Sequence, residues 1–423
     1  MTGSSISLPS SLTKSRLEEI AQTFGTPFLI YDENGIRETL KRINRAFSWN
    51  PGFKEYFAVK ACPNPSILEI CRDEKAGADC SSAPELTLAS LVGMQAEEIM
   101  FTSNNTPIEE FRQARDLGAI INFDDITHIP FFISHVGPLP EFCCVRYNPG
   151  EERTGNSIIG NPEEAKYGMT KAQIFQALRI MKQEGVRRFG LHTMIASNEL
   201  NPQYHIDTAV MLFNLAVQIQ DQLGIRLEFV NTGGGWGVNY KPEQKPLNPR
   251  EVSSGIREAY EGIIVPNRLN TLSIVMENGR FITGPNGWLV MRARHEKHTY
   301  REYIGVDATM ADFMRPGVYG AYHHLIVPGK EEESPDHVYD IIGSLCENCD
   351  KFGVQRHLPK IEIGDLVVLC GAGAHGKAMG FNYNGKLRGQ ELLLKSDGKV
   401  EMIRRPETQD DYFATLRFPG SKY

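Results

Sequence analysis

Tyr56-Phe57-Ala58-Val59-Lys60 is an apolar run that ends on an amine, and Ala61-Cys62-Pro63-Asn64-Pro65 follows at once. The run has the length and composition of a buried strand, and the Pro/Asn cluster is a strand-ending loop. An amine at the mouth of such a strand has two readings. One is a strand-end lysine that buries its methylenes and lifts its charge to solvent. The other is a lysine kept from water so that its amine acts as a nucleophile and forms a Schiff base. The rest of the chain decides between them.

Working outward, similar short runs recur at Ala78–Ser81, Ile99–Thr102, Ala119–Phe123, Phe142–Tyr147, Phe189–Thr193, Glu228–Asn231 and Ser273–Glu277. Between them Ser66–Glu74, Ala83–Val92, Ile108–Leu117, Lys171–Glu184 and His205–Leu223 repeat apolar residues at helical spacing. Alternating strands and helices predict an α/β fold, a (β/α)8 TIM barrel over residues 36–283. The Gly/Asn/Glu-rich stretch Gly150–Gly168 reads as a loop near the site. Past residue 285 the helical periods fade. Gly287–Arg294, Glu302–Val306, Asp336–Ile342, Leu366–Cys370 and Glu391–Leu394 read as strands of a mainly antiparallel β-domain, residues 284–423. The N-terminal 1–35, with the strand Thr26–Tyr31, is assigned to that domain.

With 423 residues, 41% hydrophobic and 23% charged, the chain has ample core for two globular domains. A net charge of −7 gives no sign of nucleic-acid binding. No apolar run reaches the roughly 18 residues of a membrane span. Met1-Thr2-Gly3-Ser4-Ser5 lacks the basic and apolar regions of a signal peptide, so a cytoplasmic location is the default expectation. Eight cysteines in so long a chain make no disulfide framework. Cys346 and Cys349 have CxxC spacing without a second pair, so no metal is expected and a thiol with a chemical role is the better reading.

In such barrels the chemistry sits at the C-terminal ends of the strands. Those ends supply Lys60, Ser82, Glu85, Asn104, Asp124, Arg146, His192 to Ser197, Gly233-Gly234-Gly235-Trp236-Gly237 and Glu277 to Arg280. An amine, a glycine loop that leaves backbone N–H groups open to a phosphate, and a carboxylate together fit pyridoxal 5'-phosphate. Glu277 would keep a pyridine nitrogen protonated. The plainer readings are a tight turn for the glycines and a structural Glu277–Arg280 pair.

Here a resemblance becomes specific. Tyr56–Ala61, Asp79-Cys80-Ser81-Ser82-Ala83-Pro84-Glu85-Leu86, Val145-Arg146-Tyr147-Asn148-Pro149, Met314-Arg315-Pro316-Gly317-Val318-Tyr319, Cys346-Glu347-Asn348-Cys349-Asp350, Gly373-Ala374-His375-Gly376 and Asn382-Tyr383-Asn384 follow one another in order. They resemble segments of the fold-type III pyridoxal-phosphate decarboxylases, above all diaminopimelate and ornithine/lysine decarboxylases. The resemblance implies that Lys60 carries the cofactor and that Arg146 reaches its phenolic side. Ser197, Gly233, Gly234, Gly235, Asn278, Gly279, Arg280 and His375 would surround phosphate and pocket, and Glu277 would meet the ring nitrogen. Cys346 and Glu347 would come from the partner subunit of a homodimer, with Tyr383 near cofactor and substrate. Cys346 or Lys60 would return a proton to Cα after CO2 leaves.

The chain departs from that pattern in three places. Met194 stands where relatives stack a histidine on the cofactor, and His192, two residues earlier, lies one layer deeper on the same strand face. His375 replaces a phosphate-contacting tyrosine, and Asn278 a proline. Ala196-Ser197-Asn198 resembles a run of the D-ornithine/D-lysine-type members. Arg315, with Tyr319 on the same segment, is similar to the arginine by which diaminopimelate-type members grip a distal carboxylate; its plainer reading is a pair with Glu347 or Asp312. The expected activity is therefore decarboxylation of an amino acid, most like meso-2,6-diaminopimelate to L-lysine. A D-amino-acid or secondary-metabolite substrate is the alternative. A racemase, which would need a tyrosine base such as Tyr319 or Tyr383, and a non-catalytic homologue are the weaker readings.

Overall fold

The computed structural model describes residues 6–419 except 156, 157 and 159, which fall within the expected 150–168 loop; Met1 to Ser5, read above for a targeting signal, lie outside the described residues. Two compact units are formed. One comprises 36–238 and 245–282, and the other the chain up to 35, 239–244 and everything from 283.

The first unit is a closed barrel of eight strands: Lys54–Ala58, Gly77–Cys80, Ile99–Ser103, Ile120–Phe123, Phe142–Arg146, Arg188–His192, Phe229–Asn231 and Ser273–Met276. All neighbours are parallel, and the first closes on the last through Lys54–Val275 and Glu55–Met276. Strands buried on both faces read as continuous apolar runs, which is why these segments stand out in the sequence. Tyr56, Met100, Ile120, Phe142, Cys144, Phe229 and Val275 fill the interior as one buried cluster. That plug closes the barrel from below, so polar residues at the strand ends stand on an apolar floor. Three outer helices start from the same dipeptide. Asn64-Pro65, Asn201-Pro202 and Asn248-Pro249 open Pro65–Asp73, Pro202–Leu223 and Pro249–Ala259, each Asn side chain accepting an N–H two residues on at 3.0–3.1 Å.

The first strand differs from the reading that ran it to Lys60. It stops at Ala58, and Val59–Ala61 forms a 3-10 turn. The turn lies on Gly279, where a Cβ would fall 2.6 Å from the Ala61 methyl. Lys60 is thereby rotated out of the strand's in–out alternation.

The second unit is a nine-stranded sheet. Phe28–Asp32 lies at its centre, antiparallel to Gly287–His298 and parallel to Gln390–Leu394. Leu17, Phe28, Ile30, Trp288, Val290, Val368, Cys370 and Leu392 form its core. Lys351–Leu358 and Val400–Arg404 are strands that the sequence reading missed. Both are polar and half-exposed, so neither shows an apolar alternation. Among the described residues no helix is long and apolar enough to cross a membrane.

Candidate active site

Lys60 stands at the barrel mouth with its side chain half-exposed, and its Nζ lies 3.5 Å from Asp79 Oδ2. Asp79 is the penultimate residue of the fully buried strand Gly77–Cys80 and is itself 3% exposed. The neighbouring Asp79 carboxylate holds the Lys60 ammonium above its ordinary range against desolvation, with Glu277 and Glu85 adding to it and Arg146 opposing. Burial, then Glu277, push the Asp79 carboxyl up to about 7, while Lys60 pulls it back. Asp79 Oδ1 is buried with no hydrogen-bond partner. In the sequence Asp79 stands only as part of the Asp79–Leu86 motif. A carboxylate inside an otherwise apolar, buried strand is the signal that would have singled it out.

Glu277 follows the last barrel strand, 7% exposed. Its Oε2 meets His192 Nε2 at 3.0 Å, and its Oε1 accepts from Asn231 Nδ2 at 2.6 Å. Burial works to raise this carboxyl, but the adjacent imidazole, Lys60 and the Asn231 amide hold it down at about 2. His192 therefore lies below the mouth, as its strand position implies, yet it is bonded to a site carboxylate rather than stored in apolar core. Beneath the same strand end Glu55 accepts from Asn278 N at 2.5 Å and Asn278 Nδ2 at 3.1 Å. Asn278, offered above as a cofactor contact, is 1% exposed and turned toward Glu55.

The glycine loop is more committed than its sequence suggests. Gly233 and Gly235 have φ of 70° and 85°, which favour glycine. A Cβ at Gly234 would come 2.1 Å from the Glu277 carbonyl oxygen, and one at Gly235 2.4 Å from that of Ala196. Three strand-end loops thus meet with no room for side chains, so the tight-turn reading holds. The Gly233 N–H is not open to a ligand: it donates to Asn231 Oδ1 at 2.8 Å. The Gly234 N–H points at Met194 Sδ, 3.3 Å away. The loop carrying Met194 and Ser197 is zipped to it by Glu199 N to Gly235 O and Gly237 N to Glu199 O, both 2.9 Å. Arg146 pairs with buried Asp124 at 2.9 Å and lies 4.5 Å over the Tyr167 ring. Arg146, Tyr167 and Met194 line one small cleft with Tyr147, Asn148 and Ile195. Arg280, buried, opens the short helix after the last strand.

The remaining candidates belong to the β-unit. Cys346 and Glu347 are exposed on a turn. The turn is tied down by Asn384 Oδ1, which accepts from Cys346 N at 2.8 Å, and by buried Asp350, which accepts from Leu345 N and Met310 N at 2.8 Å each. Exposed Tyr383 bonds Glu347, whose carboxylate raises the phenol. Gly317 presses the Arg315–Tyr319 helix onto the same turn, since a Cβ there would lie 2.4 Å from the Cys349 carbonyl oxygen. Arg315 is 8% exposed, 5.9 Å over the Tyr240 ring, and Tyr319 is 59% exposed. The Asp312 carboxylate caps Thr309 N and Gly389 N. His375 takes φ of 55° in its glycine-rich turn, half-buried.

The donor set at the barrel mouth fits pyridoxal phosphate. It offers a reachable amine for the aldehyde, an ionised carboxylate for the ring nitrogen and a side-chain-free loop beside them. The pyridoxal-binding domain of the pyridoxal-dependent decarboxylases matches residues 33–284. Protein TabA of Pseudomonas amygdali pv. tabaci is 40% identical, over 95% of this chain and 94% of its own. Diaminopimelate decarboxylase of Methanothermobacter thermautotrophicus is 32% identical over 95% and 94%. Among solved structures, diaminopimelate decarboxylase of M. jannaschii superimposes with a TM-score of 0.88 at 28% identity, covering 95% and 94%. The Helicobacter pylori enzyme complexed with L-lysine gives 0.85 at 28% over 94% and 98%. The fold and the match across the whole barrel agree: this chain belongs to the pyridoxal-dependent decarboxylase family.

Proposed function

We propose that the protein removes the α-carboxylate of an amino acid as CO2, with pyridoxal phosphate carried on Lys60 and with meso-diaminopimelate the first substrate to test. The observation that carries this is the Lys60–Asp79 pair set beside the clamped Glu277 carboxylate. The cofactor, when bound, supplies an electron sink for the carbon that loses its carboxylate. The residues supply the rest. Lys60 must lose a proton before its amine reacts, and Asp79 Oδ2, 3.5 Å away, is placed to take it. Glu277, held ionised by His192 and Asn231, favours a proton on the ring nitrogen. The glycine loop and Ser197 border the phosphate end, and Arg146 with Met194 the ring. Cys346, Glu347 and Tyr383 act from the second copy in a cytoplasmic homodimer, with Cys346 returning the proton to Cα. Arg315 and Arg280 select a distal carboxylate, Tyr319 borders that pocket, and His375 lies toward the phosphate.

One observation favours a second substrate. Protein TabA, whose name specifies no reaction, is more similar than the diaminopimelate decarboxylase of M. thermautotrophicus, 40% against 32%. Together with Met194, this supports an amino acid other than diaminopimelate, of the D-ornithine/D-lysine or secondary-metabolite kind. CO2 release from meso-diaminopimelate, both enantiomers of lysine, ornithine and arginine, and glutamate-like acids separates the readings. Release from meso-diaminopimelate alone supports the first, and release from another member alone transfers the assignment. Loss of optical rotation without CO2 sinks both in favour of a racemase.

A further inference from the structure

We propose that His192 is a positioning residue that keeps Glu277 an oriented carboxylate and so sets the proton on the cofactor's ring nitrogen; the inference rests on the function proposed above. His192 is 1% exposed, and its Nδ1 is buried with no hydrogen-bond partner. Among the described residues the ring is therefore held on its polar side by Glu277, through Nε2 at 3.0 Å. The other carboxylate oxygen has its partner fixed by geometry. Asn231 Oδ1 accepts from Gly233 N, so its Nδ2 must face Glu277 as a donor. Oε1 thus has no acceptor there for a proton, and the Oε2–Nε2 contact is where the proton balance is decided. The surroundings press the opposite way. Burial works to protonate Glu277, and of its titratable neighbours Asp79, Glu55, Tyr56 and Cys144 the last three are themselves pushed up by burial and stay neutral at pH 7; Lys60, His192 and Asn231 hold Glu277 ionised. Without His192 the carboxyl binds a proton more readily and becomes a poorer, less well oriented hydrogen-bond acceptor for the protonated ring nitrogen.

The test begins with the cofactor-free protein. In samples carrying 13C-carboxyl glutamate, Glu277, assigned with Glu277→Gln, should be ionised at about pH 7 in the wild type. In His192→Leu its proton affinity should rise at least tenfold. His192→Gln, which retains an N–H near the same point, should stay within about threefold of the wild type. In the loaded enzyme His192→Leu should shift the pH titration of the bound cofactor's absorbance and lower kcat at least tenfold with little change in KM; His192→Gln should recover most of it. A protonated Glu277 in the wild type at neutral pH overturns the proposal even if the leucine variant fails to fold. So does a leucine variant whose Glu277 titrates like the wild type. Wild-type protein that binds no cofactor or releases no CO2 would sink the enzymatic reading instead, while the carboxyl titration still reports on the pair.

Discussion

At the residue scale the chemistry turns on a proton between two side chains. Lys60 holds its proton because Asp79 is beside it, and Asp79 itself changes charge near neutrality, at about 7. Below that pH Asp79 is already protonated and cannot relieve the amine. Covalent uptake of pyridoxal phosphate by the cofactor-free protein should therefore slow by about tenfold per pH unit below 7. Stopped-flow absorbance checks this. Asp79→Asn, which also removes the charge that holds the ammonium, should lose the inflection near pH 7; an unchanged profile would remove Asp79 from the step. Lys60→Ala should lose the borohydride-reducible absorbance and at least about 10³-fold in CO2 release, since no second amine replaces a covalent anchor. Lys60 was legible because a charge at the end of an apolar run demands a reason. The His192–Glu277 contact was not, because it joins residues 85 positions apart and becomes visible only when the barrel closes.

At the element scale the strand ends behave as one interlocked rim. Glycines 233–235 were legible as a loop, but their role in packing against residues 193–199 and 277 was not, since close approach of backbones leaves no mark in composition. Gly234→Ala would push a methyl into the Glu277 carbonyl, 2.1 Å away. It should cost about 1–3 kcal/mol of stability. Thermal melting and cofactor titration should show this loss together with a weaker cofactor affinity; an alanine variant indistinguishable from wild type would mean the rim yields easily. Glu55 gives a pH test of the same rim. Burial raises its carboxyl to about 8, against the two Asn278 donors that favour the charge. A raised folded value means that its contribution is fully present below the unfolded value of about 4.5 and is lost as pH rises through about 8. The melting temperature of the cofactor-free protein should fall between about pH 5 and 8 and level off above that, and Glu55→Gln should flatten that fall. The same physics explains which strands were missed: those buried on both faces announce themselves, whereas Lys351–Leu358 is half polar.

At the scale of the whole molecule, the barrel and the sheet each have their own buried cluster, and each carries part of the proposed chemistry. The barrel carries Lys60 and Glu277. The sheet unit carries Cys346 and Glu347 on a turn fastened by Asp350, with Tyr383 bonded to Glu347, all exposed in the single chain. The buried Asp350 carboxylate, accepting two backbone N–H groups, fixes the position of that turn. If that turn serves a neighbouring copy, the two halves of the site can be broken in different chains and restored by mixing. Lys60→Ala should be inactive and Cys346→Ala strongly slowed, each as a dimer with both sites damaged. Random exchange of subunits makes about half of the dimers mixed, and each mixed dimer has one site with both native residues, so activity should return to about a quarter of wild type. The measurement is CO2 release after co-expression or after dissociation and reassociation of the two variants, with subunit exchange confirmed by a size tag on one chain. Recovery near a quarter places Cys346 opposite the other copy's Lys60. Confirmed exchange with no recovery above the sum of the two variants would instead require both residues to act within one chain.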